Sequence, residues 1–531
     1  MKARRNLIQT CLLGTVLLAL PVAVQASDYL YTINNGSVTI TRYLGADTVL
    51  AITNTIAGLP VTGIGDNAFQ GYGSLTSVTI PDSVTNIGNI AFYGCSGLTN
   101  VTISTNLISM GSDAFYQCTS LTSVTVPDSV TSLGREAFHF CTSLATVTVG
   151  NGVTSIGYEA FASCISLTGV TLGTNVSSIG DDAFSSCTSL ASLTISNRVS
   201  SIGDYAFGSC TSLTNVILGT NVASIGNHVF AYCPSLTSIM VDALNSSYRS
   251  LDGVLFDKSQ ATLIEYPGGR AGSYTVPNSV TRIADFAFEY CNNLTSVTIG
   301  NSLSSIGDGA FLYCASLTNA TIGSGVTAIG VEAFGGCSSL ASVSFGNSLT
   351  SIGDGAFDSC ASLASVTIPN SVTNIGIEAF FFCSSLTSMT IGNSITNIGD
   401  GAFADCSSLT EVYFSGNAPG LGSPVFSGDN NATVYYLPGE TGWSSPFGGR
   451  PAVLWNPQAQ TSDSGFGVRT NQFGFNITGS SGLVIVVETC TNLGNSIWSP
   501  VGTNILTGGS SYFSDPQWTN DPSRFYRLRS P

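Results

Sequence analysis

A repeat of 23 residues constrains this chain more than any other feature of its sequence. Phe recurs at that interval in two runs, which together give fourteen copies. Cys follows each Phe after three residues and Leu after three more, except that Tyr72 replaces Cys in the first copy. The Phe positions are 69, 92, 115, 138, 161, 184, 207 and 230, then 288, 311, 334, 357, 380 and 403. Such a period predicts a stack of similar coils that pack on their neighbours.

One copy of the repeat is too small to fold alone. It holds about five large apolar side chains, each of which contributes about 1.5–3 kcal/mol when buried. Ordering the backbone costs about 1–2 kcal/mol per residue, which exceeds that gain for an isolated unit. Stacked coils share one continuous core, so the sequence predicts a solenoid.

The consensus L-T-x-V-T-I predicts a short strand whose Leu, Val and Ile point into the core. Successive copies of this strand would form a parallel sheet. The segment G-D-x-A-F predicts one helical turn opened by an acid, as Asp308 and Glu332 illustrate. An acid stands two or three residues before the Phe in twelve of the fourteen copies. The alternative role for this acid row is weak Ca²⁺ binding.

The recurring I-G-x-x-A-F-x-x-C followed by L-x-x-V-x-I resembles the BspA-like, treponemal-type class of leucine-rich repeats. The resemblance covers residues from about 60 to 415. It implies a mixed α/β repeat: a horseshoe-shaped solenoid with a parallel concave sheet and single helical turns. It also implies a surface-exposed protein, since several members of that class are adhesins that bind host or partner-cell proteins.

The ends of the chain depart from the repeat. Residues 1–26 have a basic start, an apolar run and a small-residue cleavage site, which predicts a signal peptide. Residues 27–59 contain two alternating strands around Asn35-Gly36 and predict a hairpin cap. Residues 60–415 form the repeats, and about 242–277 form a hairpin insertion where the spacing of Phe lengthens to 58 residues.

The C-terminal part is predicted to hold a cap over 416–456, a linker over 457–464 and a small all-β module of the sandwich type over 465–531. The module resembles one found at the C-terminus of secreted proteins of the Verrucomicrobia and Planctomycetes group. That resemblance rests on VETCTNLGNSIWSPV and RFYRL. Three arginines in the last eight residues suggest either a docking unit or an ordinary terminal strand.

Charge and hydropathy limit the class of partner. The net charge is −16 with only 9% charged residues, and removal of the leader makes the charge more negative. Phosphate binding needs clustered Lys and Arg, so nucleic acid is excluded as a partner. No segment after the leader has the length of a membrane span. We therefore expect a secreted or cell-surface protein, and the sequence leaves its oligomeric state open.

The repeated thiols are the first candidates for chemistry. No C-x-x-C occurs, and the two histidines, His139 and His228, are far apart in the repeat order, so we expect no metal site and no cofactor. In the interpretation without chemistry, each repeated Cys is a small buried residue of the core. The structural ladder is then represented by Phe115, Cys118, Leu121, Phe311, Cys314 and Leu317.

No catalytic motif is present, so we expect a protein that is not an enzyme; a hydrolase that uses paired acids remains a distant alternative. The insertion is the best candidate for a specific contact with a partner, because it is locally basic and aromatic. The alternative is that it is only a variant repeat that packs on its neighbours. Its candidate residues are Tyr248, Arg249, Phe256, Lys258, Tyr266 and Arg270. The expected partner is an extracellular or cell-surface protein. The alternative is a glycan-binding or protective extracellular scaffold, which would act by avidity along its outward Ser and Thr residues.

Overall fold

The computed structural model describes residues 28–494, 497–521 and 523–529, so the predicted signal peptide lies outside the described residues. The chain divides into two compact units. The first comprises the described residues up to 210 together with 224–229, and the second comprises 211–223 together with the described residues from 230 onward. Each unit is described separately.

The first unit begins with an antiparallel hairpin formed by strands Tyr29–Asn34 and Ser37–Tyr43. Asn35 and Gly36 form its turn with φ of 48° and 76°, the left-handed values that a tight hairpin turn needs. The second strand also pairs in parallel with Leu59–Ile64. The hairpin is therefore hydrogen-bonded directly to the first coils.

Most coils of the first unit contribute a longer and a shorter strand, and the paired strands of successive coils run parallel and in register. The shorter strand comes from the T-x-I-G segment, for which the sequence analysis assigned no structure. The longer strands are Val49–Ala51, Ser77–Thr79, Asn100–Thr102, Ser123–Val126, Thr146–Val149, Gly169–Thr171 and Ser192–Thr194. The shorter strands are Asn86–Ile87, Ser109–Met110, Ser155–Ile156, Ser178–Ile179, Ser201–Ile202 and Ser224–Ile225, with Thr55–Ile56 paired antiparallel to the strand beginning at Leu59.

The second unit repeats this arrangement on both sides of the insertion. Its longer strands are Asn215–Leu218, Ser238–Val241, Gly272–Thr275, Leu294–Ile299, Asn319–Ile322, Ser342–Ser344, Ser365–Ile368, Ser388–Ile391, Glu411–Phe414, Thr433–Tyr436 and Ala452–Leu454. Its shorter strands are Arg282–Ile283, Ser305–Ile306, Ala328–Ile329, Ser351–Ile352, Asn374–Ile375, Asn397–Ile398 and Gly420–Leu421. The insertion holds Tyr248–Leu251, Val254–Asp257 and Thr262–Glu265, joined antiparallel in that order. The last of these pairs in parallel with Arg282–Ile283.

The predicted single helical turn before each Phe is wrong. Two residues in left-handed conformation flank the Phe instead, as Asp113 and Gln117 do around Phe115 with φ of 56° and 58°. The same pair recurs two residues before and two after the Phe in all fourteen copies. A right-handed helix cannot contain such residues, so this corner is built from tight turns. The parallel solenoid itself is confirmed.

The core is a column of identical side chains. In the first unit the rings from Phe69 to Phe207 stack with centroids 4.8–5.4 Å apart. In the second unit the rings from Phe288 to Phe426 stack at 4.5–5.9 Å. Coils this close leave no room for a side chain at the I-G glycine: a Cβ on Gly376 would lie 2.5 Å from a backbone nitrogen of the preceding coil. The glycine therefore sets the coil spacing.

The C-terminal module is all-β, as predicted. Its strands are Gln458–Gln460, Gly467–Arg469, Gln472–Thr478, Val484–Cys490, Ser499–Ile505, Ser510–Asp515 and Phe525–Arg529, with a 3₁₀ turn at Trp518–Asn520. The first of these strands lies inside the segment predicted as a linker and pairs with the third. The module's core also contains Tyr413 and Tyr435, which belong to the last coils. The module is thus packed on the solenoid.

Candidate functional site

The six residues proposed for binding in the insertion lie in two different environments. Phe256 and Tyr266 are buried, with exposed fractions of 0% and 2%. The Tyr266 ring stacks on Phe288 at 4.8 Å and so extends the Phe column. The prediction that these two aromatic residues contact a partner is therefore wrong, because they form core of the enlarged coil.

The basic residues of the insertion mostly bind its own backbone. The Lys258 ammonium donates to the carbonyl oxygens of Asn245 and Ala243. The Arg270 guanidinium donates to the carbonyl of Asp252. These bonds hold the loops of the insertion in place.

Of the remaining two candidates, Tyr248 is half-buried and its hydroxyl donates to the carbonyl of Ala223 at 3.3 Å. Arg249 is exposed and stays available to a partner. The six residues do not form one continuous binding surface.

Three exposed apolar residues lie in the two strands before the insertion and in its first residues, and they are not among the candidates chosen from the sequence. Ile217 and Met240 are cross-strand neighbours on the outward side of paired strands, and they are 43% and 52% exposed. Leu244, in the following turn, is 82% exposed. We name these three residues the apolar patch. The signal was present in the repeat, because Ile217 and Met240 occupy positions that carry Thr or Ser in most other coils.

Outward Ser and Thr residues occupy most of the remaining strand positions, as predicted from the repeat. Ser123 lies opposite Thr146, and Thr125 lies opposite Thr148, in the parallel register. All four are exposed. The result is a regular polar surface in the first unit.

The acid row has a structural role that differs from helix capping. Where Asp stands three residues before the Phe, its Oδ1 accepts the backbone N–H at the same register of the next coil. The bond from Ile377 N to Asp354 is 2.7 Å long, and that from Val331 N to Asp308 is 2.8 Å. Asn89 does the same for Ser112 at 2.8 Å. These side chains therefore join coils.

The repeated cysteines are buried thiols, as is Cys490 in the module. The thiol of Cys314 donates to the carbonyl of Phe288 at 3.0 Å, and the same bond to the preceding coil recurs along the ladder. Burial raises the pKa of the Cys314 thiol well above its ordinary value. A protonated, inaccessible thiol is neither a nucleophile nor a ready metal ligand.

The six ladder residues named from the sequence all lie in the core. Their exposed fractions are 0%, which leaves none of them available to a partner. They are Phe115, Cys118, Leu121, Phe311, Cys314 and Leu317.

A cluster of metal-ligating side chains lies in the first unit. One ligand atom each from Glu136, His139 and Glu159 lies within 4.8 Å of the other two. The same register carries acids in the coils on either side. Burial and repulsion from Glu136 raise the pKa of Asp113, while burial and repulsion from Glu159 raise the pKa of Asp182. The cluster is not visible when the two histidines are compared only with each other, because its two other ligands are glutamates of the repeat.

The terminal arginines of the module neutralise buried acids. Arg527 Nε and Arg529 Nε bind the two carboxylate oxygens of Glu488 at 2.7 and 2.6 Å. Burial favours the neutral carboxyl, but the hydrogen bonds from Arg529 and Arg527 outweigh it and lower the pKa of Glu488. Arg524 Nε lies 2.9 Å from Asp515 Oδ2. These contacts explain the basic terminus as part of the module's fold.

The fold and its repeat define a leucine-rich-repeat solenoid. The family described as BspA type Leucine rich repeat region matches residues 62–190, 133–263, 270–363 and 304–433. The chain belongs to this family, which confirms the resemblance of the repeats. Among the described residues, no helix has the length and apolar character that a membrane span requires.

Solved structures support the same assignment. A leucine rich cell surface protein from Faecalibacterium prausnitzii is 34% identical, with a TM-score of 0.52 over 75% of this chain and 96% of its own. A leucine-rich repeat protein from Bacteroides ovatus is 29% identical, with a TM-score of 0.53 over 73% and 93%. One from Eubacterium ventriosum is 25% identical, with a TM-score of 0.54 over 62% and 86%. A search of the curated proteins found no match.

Proposed function

We propose that this protein is exported and mediates adhesion or protein recognition at a cell surface, without catalysing a reaction. The observation that carries the proposal is the apolar patch of Ile217, Met240 and Leu244. Ile217 and Met240 stand at an outward position where other coils of the second unit carry exposed Thr residues, namely Thr298, Thr321 and Thr367. Exposed apolar groups framed by polar residues mark protein interaction sites. The name of the Faecalibacterium relative, a cell surface protein, agrees with this location.

The absence of catalysis is supported by the state of the described side chains. The thiols of the described residues are buried, and the Asp side chains three residues before Phe, such as Asp308 and Asp354, are engaged in bonds between coils. Neither set provides an accessible nucleophile or a pair of acids facing a cleft.

The experiment measures adhesion of beads coated with residues 28–531 to cells and to plates coated with extracellular matrix proteins. The test variant combines Met240→Thr with Leu244→Ser, which makes the patch as polar as other coils. The control is Thr321→Ser, a change at another exposed outward position. Loss of adhesion in the test variant alone supports the proposal. Equal adhesion by all three proteins contradicts the role of the patch.

Glycan binding is the second candidate, and a separate observation favours it. Tyr232 and Tyr313 are 50% and 47% exposed, and each ring contacts Tyr290 at 4.9 and 5.1 Å. A row of partly exposed aromatic rings offers apolar faces against which sugar rings pack. Adhesion that survives the patch variant but is abolished by soluble glycans and by Tyr313→Ser would favour this function.

A further inference from the structure

The cluster of Glu136, His139 and Glu159 joins two successive coils of the first unit. Both glutamates occupy the left-handed position two residues before a Phe, with φ of 55° and 51°. His139 follows Phe138 directly. The 23-residue period therefore places the two carboxylates one above the other, with the imidazole beside them.

The His139 ring is fixed by aromatic neighbours. It stacks on Phe140 at 4.3 Å and meets the Tyr116 ring edge-on at 5.1 Å. Its side chain is only 12% exposed, and the glutamate side chains are 17% and 21% exposed. The three groups thus form a preorganised, largely buried site, as metal binding requires.

His139 Nδ1 lies close to one oxygen of each glutamate. Nδ1 lies 3.0 Å from Glu159 Oε2 and 3.5 Å from Glu136 Oε2. This nitrogen is nevertheless buried without a hydrogen-bond partner. Ligand atoms bound to one ion at about 2.0–2.2 Å lie about 3.0–3.5 Å apart. The two separations from Nδ1 match that range.

The local charge also favours a cation. Carboxylates stand at this register in four successive coils, at 113, 136, 159 and 182. One guanidinium balances them in part: Arg135 Nε binds Glu136 Oε1 at 2.7 Å, which leaves Oε2 directed toward the imidazole. That arrangement is typical of a ligating carboxylate held by a second partner.

We propose that Glu136, His139 and Glu159 bind a divalent first-row transition metal, such as Zn²⁺, that clips two coils together. An imidazole nitrogen among the ligands selects these ions over Ca²⁺ and Mg²⁺, which prefer oxygen. Three protein ligands leave room for water in the fourth position. This inference is independent of the proposed adhesion function, since the site lies among corner turns rather than on the outward strand surface.

The test measures Zn²⁺ binding to residues 28–531, produced without a histidine tag, by isothermal titration calorimetry in the presence of excess Mg²⁺. Thermal unfolding with and without Zn²⁺ gives a second readout. The variants are His139→Gln and Glu159→Gln, each of which keeps a polar side chain of similar size. The control is Glu378→Gln, because Glu378 has the same register and left-handed φ of 53° but is followed at the histidine position by Phe381.

We expect one Zn²⁺ per chain and a higher midpoint of thermal unfolding. Both site variants should weaken binding by more than about 100-fold, since changes to outer-shell partners alone cost about 10–100-fold. Glu378→Gln should leave affinity unchanged. If His139→Gln fails to fold, Glu159→Gln decides the question. Absence of binding, or binding that the site variants do not alter, would overturn the proposal and leave a cluster of charged side chains.

Discussion

Replacing Phe334 by Ala tests whether the aromatic column is the main source of cohesion between coils. The ring has an exposed fraction of 0%, and its centroid lies 4.8 Å from that of Phe311 and 5.2 Å from that of Phe357. The three rings are almost parallel, with interplanar angles of 5° and 2°. The substitution removes both ring contacts and leaves a cavity.

The expected cost follows from these contacts. A buried Phe→Ala change destabilises by about 3–5 kcal/mol. Each aromatic pair adds about 0.5–1.5 kcal/mol beyond the area it buries. Because two aromatic pairs are lost, we expect Phe334→Ala to lower the free energy of unfolding by about 5 kcal/mol, near the upper end of the range for buried Phe→Ala changes. Phe382→Ala is the matched control, because that ring is 52% exposed and lies outside the column; its cost should stay below about 1 kcal/mol.

The assay is urea denaturation of residues 28–531, followed by circular dichroism and by the combined fluorescence of the four tryptophans, all of which lie in the same unit as Phe334. Hydrogen exchange of the peptides around Phe311 and Phe357 shows whether unfolding is local, as solenoids permit. A loss of protection from hydrogen exchange that is confined to these coils agrees with a role of the Phe334 ring in cohesion between coils. A cost below about 2 kcal/mol, or one equal to that of the Phe382 control, would refute it.

Three further predictions follow from contacts between coils and within the C-terminal cap. Cys314 should not react with iodoacetamide in the native protein at pH 8 and should react after denaturation, which peptide mass spectrometry measures; fast native labelling would contradict its burial. Asp354→Ala should cost about 1 kcal/mol in urea denaturation through the lost bond from Ile377 N, whereas Asp354→Asn should cost little because Asn keeps the acceptor; equal costs would contradict this role. Burial raises the pKa of Asp429 to about 7, so the folded protein favours the protonated carboxyl more than the unfolded chain does. The free energy of unfolding should therefore fall as pH rises from about 4 to 7. Asp429→Asn should remove that part of the pH dependence, with a gain above pH 7 of at most about 4 kcal/mol, and an unchanged pH profile would contradict the assignment.

The periodic part of the fold was predictable because each coil repeats the same physical requirement. Phe and Leu recur at one register in fourteen copies and Cys in thirteen, which requires a shared core, and the structure buries them. The two-residue strands such as Ser305–Ile306 were missed, because so short a segment shows no alternation of polar and apolar residues. The acid before Phe was misinterpreted because Asp is a common helix cap, whereas here an Asp three residues before Phe accepts a backbone N–H of the next coil.

The candidate sites were less predictable because they depend on departures from the repeat. Tyr266 and Phe256 were assigned to a surface by their aromatic and basic context, yet one substitutes for Phe in the column and the other fills the enlarged coil. The metal-ligating cluster depends on residues in two coils. Residues one period apart must be compared at each register before such a cluster is visible in the sequence.

The sharing of Tyr413 and Tyr435 with the module's core affects how this protein must be handled. Shortened forms that end near residue 456 would uncover both rings, together with Val453 and Trp455, which pack against the same core. Such a fragment would expose an apolar surface that the full chain buries. Binding of other molecules to that surface would result from the truncation and not from a property of the intact protein. Removing the module is therefore not equivalent to detaching an independent tag, and binding studies need the chain through residue 529.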